Sequence, residues 1–461
     1  MAGVIQPKNT GQDTATTSSD PNQELVPIDD RATRGSLTMA WWGVCSAMFY
    51  LVIGIAMAEN YGTKNAIIGL LISCVAYGII NGIITRYAIR TGMSVALFSR
   101  VLFGHKGAAL ATLIFFATAM YYAVFEGSVI AVTFSQTYPS IPYWIAALIV
   151  VAYSVPMIMG SVQNWLDKLN GVLLPFYIIG LIAAIVMATN EYGYSNAWLA
   201  VGPEQTSPFG WWNVAVYYMG IWVLMMYTFD YARYGKQKDS KYLSWFNFGI
   251  PFYLVAFFLS GLAGIYLVST IPLEGALSEV SITLALVKLM GVFGLIFVVI
   301  TQTRINTANY LLATTNLQAF VKDTINIQMP KFVGALLIGS FIFVLMLLDV
   351  FAYLLQALAY QGVFVVAWVA IALTHILYPK REDIFGAVPV INPERLPAFD
   401  KSGLIAWIGA SLVGIVLMNL GGNWLNWYAT LTFATAMVLY TVLMPKTQQH
   451  IVTASSEAII N

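Results

Sequence analysis

Two charged side chains lie in the middle of long apolar stretches, and they are the first candidates for chemistry. Glu126 lies within YYAVFEGSVIA, and Arg304 lies within ITQTRINTANY. A charge inside a bilayer is costly, so such residues usually serve a substrate, an ion or each other. One hypothesis is a structural ion pair between the two stretches. The other is that one of the two contacts a polar substrate or carries a proton, and the sequence leaves both open.

Polar and aromatic neighbours of these charges follow helical spacing. Tyr122 lies four residues before Glu126, so a helix would present an aromatic plane beside a carboxylate.

The amides around Arg304 form a stripe of their own. Gln302, Asn306 and Asn309 recur at i, i+4 and i+7. Arg304 is two positions from the first two of these, which places it near the opposite side of the helix. We expect the amide stripe to face a substrate and Arg304 to brace the scaffold. The alternative is that the amides only hold neighbouring helices together.

The composition indicates the environment in which these residues work. Of 461 residues, 59% are hydrophobic and 9% are charged, and the mean hydropathy is +0.75. A soluble domain carries roughly 25% charged residues, so the chain is predicted to be a membrane protein. Lys and Arg (22) nearly balance Asp and Glu (21), which gives no indication of a nucleic-acid partner. Cys45 and Cys74 suggest neither a disulfide framework nor a metal site.

Apolar runs long enough to cross a bilayer recur from residue 37 onward. They are too long for barrel strands, so the fold class is predicted to be an all-α polytopic membrane protein. Twelve spans are predicted, at 39–58, 66–89, 107–136, 141–160, 170–189, 211–229, 247–271, 291–318, 332–351, 360–378, 404–420 and 425–443. The stretch 276–290 is predicted to be an amphipathic helix outside the bilayer core.

Basic residues indicate the orientation. With the N-terminus inside, 18 of the 22 Lys and Arg residues fall in the terminal segments or in the junctions after even-numbered spans, and Arg86 lies near the cytoplasmic end of span 2. Lys64 and Lys288 fall outside, and Arg304 lies within a span. This asymmetry follows the positive-inside rule, so both termini are predicted to be cytoplasmic in a multi-pass protein of the cell membrane. Residues 1–38 are predicted to be a disordered tail, and 444–461 a second cytoplasmic tail.

Two glycine-interrupted spans suggest an internal repeat. Gly54 interrupts span 1 and Gly220 interrupts span 6, which are corresponding positions if 39–189 and 211–378 are two copies of one unit. Five spans is an odd number, so the copies would insert in opposite orientations. Paired interrupted helices indicate a transporter site near the middle of the bilayer. The helices in 404–443 would be additions to this core.

Three segments resemble the nucleobase:cation symporter-1 family, which includes cytosine permeases, purine permeases and transporters of allantoin and hydantoin. The segment RTGMSVALFSRVLFGHKGA resembles the family signature between spans 2 and 3, at Thr91, Gly92, Arg100, Phe103, Gly104 and Gly107. FDYARYGK is similar to the element that ends span 6, at Asp230, Tyr231, Arg233 and Tyr234. QTRINTANYLLATTN resembles the Asn-rich span 8 of the purine–cytosine permease subgroup.

The resemblance implies a fold and a set of binding residues. It implies two inverted five-helix repeats with discontinuous helices 1 and 6, plus two C-terminal helices. The positions that grip the ring in span 3 correspond to Tyr122 and Glu126. The aromatic near the break of span 6 corresponds to Ile221 or Trp222, and a ring would stack between Tyr122 and Trp222. The span 8 amide would be Asn306 or Asn309.

Two departures from the family pattern affect the chemistry. The family has an amide where this chain has Glu126, and an ionised carboxylate only accepts hydrogen bonds, so it would select a ring with an N–H or amino group. That ring would be an aminopyrimidine, a purine or a cationic ring such as a thiazolium. Family members that use sodium hold it with a pair of small hydroxyl residues in span 8, and here that pair reads Gln302 and Thr303. The coupling ion therefore stays open between sodium and a proton, with Glu126, Arg304 and Thr303 as candidate ion-coupling residues.

The predicted function is a symporter, without a cofactor, that imports a nucleobase or a related planar heterocycle and acts as a monomer. Alternatives on the same fold are a transporter of thiamine or its precursor, of allantoin or hydantoin, or of an amino acid. A membrane-embedded enzyme or a sensor is disfavoured because no HExxH, no phosphate loop and no Ser/His/Asp set lies within the spans.

Overall fold

The structure is a computed structural model that describes residues 25–273, 279–348, 351–379 and 396–460. All regular secondary structure in these ranges is helical, and no strand is found in them. Residues 1–24 of the predicted tail and the first residues of the predicted amphipathic helix lie outside the described residues.

Sixteen helices, numbered in chain order, organise the described ranges. They are α1 (Arg34–Trp42), α2 (Phe49–Tyr61), α3 (Thr63–Thr91), α4 (Val95–Phe103), α5 (Gly107–Thr137), α6 (Tyr143–Met157), α7 (Gly160–Tyr192), α8 (Gly210–Met219), α9 (Val223–Ala232), α10 (Gln237–Thr270), α11 (Glu279–Met290), α12 (Val292–Ile325), α13 (Lys331–Leu347), α14 (Phe351–Leu377), α15 (Lys401–Leu420) and α16 (Tyr428–Ile460).

The twelve predicted spans all coincide with helices of the described residues. Six helices are long and apolar enough to cross a membrane alone, namely α3, α5, α10, α14 and α15 and the part of α7 from Pro175 onward. The pair α1 and α2 forms a seventh span, bent by 45°. The remaining five predicted spans fall on α6, the pair α8 and α9, α12, α13 and the first part of α16, none of which meets that criterion of length and apolarity. The predicted all-α polytopic fold is confirmed.

Span 1 breaks at a different place from the predicted one. The break lies between α1 and α2, where a 3-10 turn over Gly43–Ser46 is followed by Ala47 in an extended conformation. Gly54, the predicted interruption, lies inside α2 and allows a close crossing with α10. A Cβ built on Gly54 would lie 2.4 Å from the Cα of Gly261. Small residues let membrane helices approach this closely, so Gly54 is a packing residue and not a break.

Span 6 breaks where predicted. α8 ends at Met219, α9 begins at Val223, and Gly220 lies at the junction. A Cβ built on Gly362 of α14 would lie 2.9 Å from the Cα of Gly220, so two glycines allow α14 to pack directly against the break. The structure therefore has discontinuous helices 1 and 6, as the inverted-repeat hypothesis requires.

The start of the folded chain also differs from the prediction. The structure describes the chain from residue 25, and α1 begins at Arg34, which lies within the range 1–38 predicted to be a tail. The backbone N–H of Val26 donates to Gly92 O (3.1 Å), and that of Ala32 donates to Tyr234 O (2.8 Å). A few buried apolar residues anchor this segment, although its average composition is polar. At the other end, α16 continues to Ile460, well beyond the predicted end of span 12.

The segment 90–108 forms the connection between spans 2 and 3. Gly92 ends α3 in the left-handed conformation (φ 69°), and the Ser94 hydroxyl accepts a hydrogen bond from Leu97 N and caps α4. Gly104 follows α4 at φ 83° and ψ 165°, a conformation that essentially only glycine adopts. A Cβ at this position would also lie 2.6 Å from Pro397 O. The family-like signature is therefore a structural connection that packs against the segment preceding α15.

We expect Gly104→Ala to destabilise the protein by about 1–3 kcal/mol, because it adds both backbone strain and a steric clash. Thermal unfolding of the purified protein in detergent measures the effect as a lower melting temperature. Gly35→Ala is the matched control, since a Cβ at Gly35 meets nothing within 4 Å. Equal melting temperatures for the two variants would contradict this explanation of the signature.

Candidate functional site

The breaks of spans 1 and 6 face one cavity in the interior of the helix bundle. It contains about 470 Å³ of space between atoms, part of which is open to solvent. Four groups of residues form its walls: the break and start of α2, the middle of α5, the span 6 break with α9, and the middle of α12. They are Val44, Ala47, Phe49, Tyr50, Tyr122, Glu126, Ile221, Val223, Leu224, Tyr227, Tyr231, Ile305, Ala308 and Asn309.

The long helices α5 and α12 pack against each other and carry Glu126 and Asn309 of the cavity. Tyr122 and Glu126 lie on the same face of α5, one turn apart, and both line the cavity. The ring of Phe49, at the start of α2, packs edge-on against Tyr122 with the centroids 5.7 Å apart. The site thus has an aromatic side chain supported by span 1 next to a carboxylate.

Glu126 is almost completely buried, with 1% of its surface exposed. Its Oε2 accepts a hydrogen bond from Nε2 of Gln302 on α12. A buried carboxylate whose hydrogen-bond donor is a neutral amide is strongly disfavoured unless a proton or a cation neutralises it. The site therefore has a requirement for positive charge or for strong N–H donors.

Two further polar groups of the cavity lack partners. Asn309 Nδ2 and Tyr227 Oη are buried, and neither has a hydrogen-bond partner among the described residues. Buried polar atoms in folded proteins are nearly always hydrogen-bonded, and both of these residues line the cavity. They are therefore suited to binding a polar ligand.

Four of the predicted site residues lie outside the cavity lining. Asn306 has its Nδ2 atom next to Gly127 of α5, and Thr303 shares a hydrogen bond of 2.8 Å with Tyr153 on α6. Arg304 is buried but is not part of the lining. The Trp222 ring packs edge-on against Tyr77 and Phe433, at centroid distances of 6.3 and 5.5 Å.

The structure thus brings together Tyr122, Glu126, Ile221 and Asn309 and separates them from the other four. Trp222 turns away because it lies at the end of the non-helical break, where a helical direction cannot be extrapolated. The predicted amide stripe also divides: Gln302 binds Glu126, Asn306 faces α5 and Asn309 faces the cavity.

Three tyrosines of the site were not predicted from the sequence. Tyr50 belongs to the start of α2, and Tyr227 and Tyr231 belong to α9. The last two are four residues apart and share a helical face, a signal that the sequence does contain. Tyr231 also lies in the family-like element, where Asp230 accepts a hydrogen bond of 2.9 Å from Val95 N at the start of α4.

Comparisons of the whole chain with known proteins show its fold. No family model matches the sequence, and no curated protein matches it. The structure is similar to that of Mhp1, a nucleobase-cation-symport-1 family transporter, in a closed conformation with bromovinylhydantoin bound. The TM-score is 0.74 at 12% identity over 93% of this chain and 96% of Mhp1. For the inward-facing conformation of Mhp1 the TM-score is 0.71 at 13% identity over 96% of both chains.

A manganese transporter of Eremococcus coleocola, in complex with an aromatic bis-isothiourea compound, is also similar. Its TM-score is 0.51 at 14% identity over 96% of this chain and 95% of that one. All three of these structures belong to transporters. The identities are low, so the similarity concerns the fold. The chain has the fold of the nucleobase-cation-symport-1 transporter Mhp1, and the resemblance inferred from its motifs is confirmed at that level.

Proposed function

We propose that this protein is a secondary active transporter that imports a nucleobase or a related planar heterocycle by alternating access. Uptake would be coupled to a proton or sodium gradient. The observation that carries this proposal is the cavity between two broken helices, in which Tyr122, Glu126 and Asn309 converge. Broken helices that meet at a polar cavity are a recurrent design of transporter sites.

The chemistry of the cavity favours a flat ring with a donor edge. Most of its wall is apolar or aromatic, and a planar π-system can stack on the Tyr122 ring. Glu126 would accept a hydrogen bond from a ring N–H or amino group, while Asn309 Nδ2 would donate to a ring nitrogen or carbonyl oxygen. Cytosine and the aminopurines carry both kinds of group on one edge.

A cationic heterocycle, such as a thiamine-like compound, is the second candidate. It is favoured by one observation, namely that the buried Glu126 has a neutral amide as its hydrogen-bond donor. A cationic ring would supply the missing positive charge, whereas a neutral ring would enter with a proton or a metal cation. Both candidates use the same cavity residues.

The proposed orientation rests on the distribution of basic residues, which predicts that both termini are cytoplasmic. In that orientation α2 and α8 form the outer halves of the broken spans, and α1 and α9 form the inner halves. The proposal treats a single chain as the functional unit.

Uptake of radiolabelled compounds by transporter-deficient cells tests the proposed function. The panel contains cytosine, adenine, hypoxanthine, allantoin and a thiamine precursor, each assayed with a sodium gradient or a pH gradient imposed separately. We expect at least one heterocycle to accumulate and one of the gradients to drive it. If none accumulates under either gradient, the proposed function is wrong.

We expect Glu126→Gln to leave the protein folded, because the amide oxygen can still accept from Gln302. Replacing a charge-assisted hydrogen bond by a neutral one costs about 1.4 kcal/mol, so KM for the transported ring should rise about tenfold. The control is Glu59→Gln, which changes an exposed carboxylate at the end of α2.

Surface expression separates this outcome from the ion-pair hypothesis. If Glu126→Gln does not reach the membrane while a double Glu126→Met, Arg304→Met variant does, Glu126 has a structural role. If Glu126→Gln changes neither KM nor the order in which the test compounds are preferred, Glu126 does not take part in substrate binding.

Stacking of the substrate on the Tyr122 ring can be tested separately from its hydrogen bond to Glu126. Tyr122→Phe keeps the ring and should bind substrate nearly as well as the unaltered protein. Tyr122→Leu removes a stacking contribution of about 1 kcal/mol, so KM should rise roughly fivefold. Trp222→Leu is a useful comparison, since Trp222 lies outside the cavity lining, and it should not change KM. Equal KM values for Tyr122→Leu and Tyr122→Phe would contradict stacking on this residue.

A further inference from the structure

Gln302 is fully buried and uses both ends of its amide to connect two parts of the site. Its Nε2 donates to Glu126 Oε2, and its Oε1 accepts from the backbone N–H of Met48 at 3.2 Å. One side chain of α12 thus contacts both the carboxylate of α5 and the break in span 1.

The Met48 N–H needs such a partner because of where it lies. Met48 is the residue before the first turn of α2, and the first N–H groups of a helix have no acceptor within the helix. Ala47, just before it, is extended and ends the preceding 3-10 turn. Gln302 therefore caps the start of α2 from another helix, at the point where span 1 is broken.

The two partners determine the orientation of the amide. A backbone N–H can only donate, so it must face the amide oxygen, and the NH₂ group must then face Glu126. This leaves the carboxylate with one oxygen bound to Gln302, whereas Glu126 itself lines the cavity. The hydrogen bond consequently holds the second oxygen in a defined direction while leaving it available to a ligand.

We propose that Gln302 is a positioning residue that orients Glu126 toward the substrate and ties it to the break of span 1. The proposal rests on the proposed function of the cavity. Any displacement of the Glu126 carboxylate on substrate binding would be passed through one amide to Met48 and so to the start of α2. Substrate recognition by α5 and the position of the outer half of span 1 are then linked directly.

The alternative for Gln302 is simple helix–helix cohesion, and the two roles differ in what a substitution changes. Loss of cohesion lowers the stability of the unliganded protein, whereas loss of positioning raises KM and acts only through Glu126. The measurement therefore compares KM, Vmax and the melting temperature, and it includes a double variant.

The principal variant is Gln302→Met, which keeps the length of the side chain and removes both hydrogen bonds. The matched control is Gln318→Met on the same helix, where Nε2 donates to Met329 O at 2.7 Å, away from the cavity. The five compounds of the uptake panel serve as probes. We expect Gln302→Met to raise KM for the transported compound about tenfold, with Vmax close to that of the control. The melting temperature should also fall, because Met48 N–H and the Glu126 carboxylate each lose a hydrogen-bond partner.

The double variant Glu126→Gln, Gln302→Met gives the sharper result. If Gln302 acts through Glu126, adding Gln302→Met to Glu126→Gln should raise KM by less than about twofold further, since neighbouring residues that act together are not additive. If Gln302→Met does not reach the membrane, Gln302→Asn replaces it, because the shorter amide cannot reach both partners.

Two outcomes would overturn the inference. One is a KM for the Gln302 variants equal to that of Gln318→Met, and the other is independent, multiplying effects of the two substitutions. These failures are distinct from failure of the proposed function, in which the unaltered protein would transport none of the five compounds.

Discussion

A buried carboxylate whose hydrogen-bond donor is a neutral amide is the constraint on which the site depends. Glu126 has 1% of its surface exposed, and the group that binds it is the side chain of Gln302. Such a carboxylate needs a proton or a cation from outside the protein, or a ligand with N–H donors. A proton, a cation or a ligand can reach Glu126 through the adjacent cavity. Because the buried carboxylate needs one of them, it would favour ligands that carry N–H donors or a positive charge, which is the basis of the proposed selectivity.

The surrounding helices place this carboxylate at the meeting point of two broken spans. Glu126 lies on α5 and Gln302 lies on α12. Residues at the breaks of spans 1 and 6 line the same cavity as Glu126. A broken helix exposes backbone groups that an intact one would satisfy, and here Met48 N–H is satisfied by the same glutamine that binds the carboxylate. Two hydrogen bonds of Gln302 therefore connect the buried carboxylate, which lines the cavity, to the break in span 1.

The membrane spans and the α5 side of the site could be predicted from the sequence. The spans follow from the length of the apolar runs, and the α5 side follows from helical periodicity. Tyr122 and Glu126 share a helical face in any regular helix, and the structure keeps them together. The break of span 1 could not be predicted from glycine, because Gly54 serves a close helix crossing, whereas the real break is stabilised by a tertiary contact with Gln302. Trp222 lies outside the cavity lining for a related reason, since helical geometry does not extend through a break.

The most direct test of this account is an experimental structure of the protein with a transported heterocycle bound. We expect density for the ring beside Tyr122, with an N–H edge within hydrogen-bond distance of Glu126 and an acceptor near Asn309 Nδ2. We also expect Gln302 to remain between Glu126 and Met48. Density for the ring outside this cavity, or inside it without any contact to Glu126, would contradict the central claim.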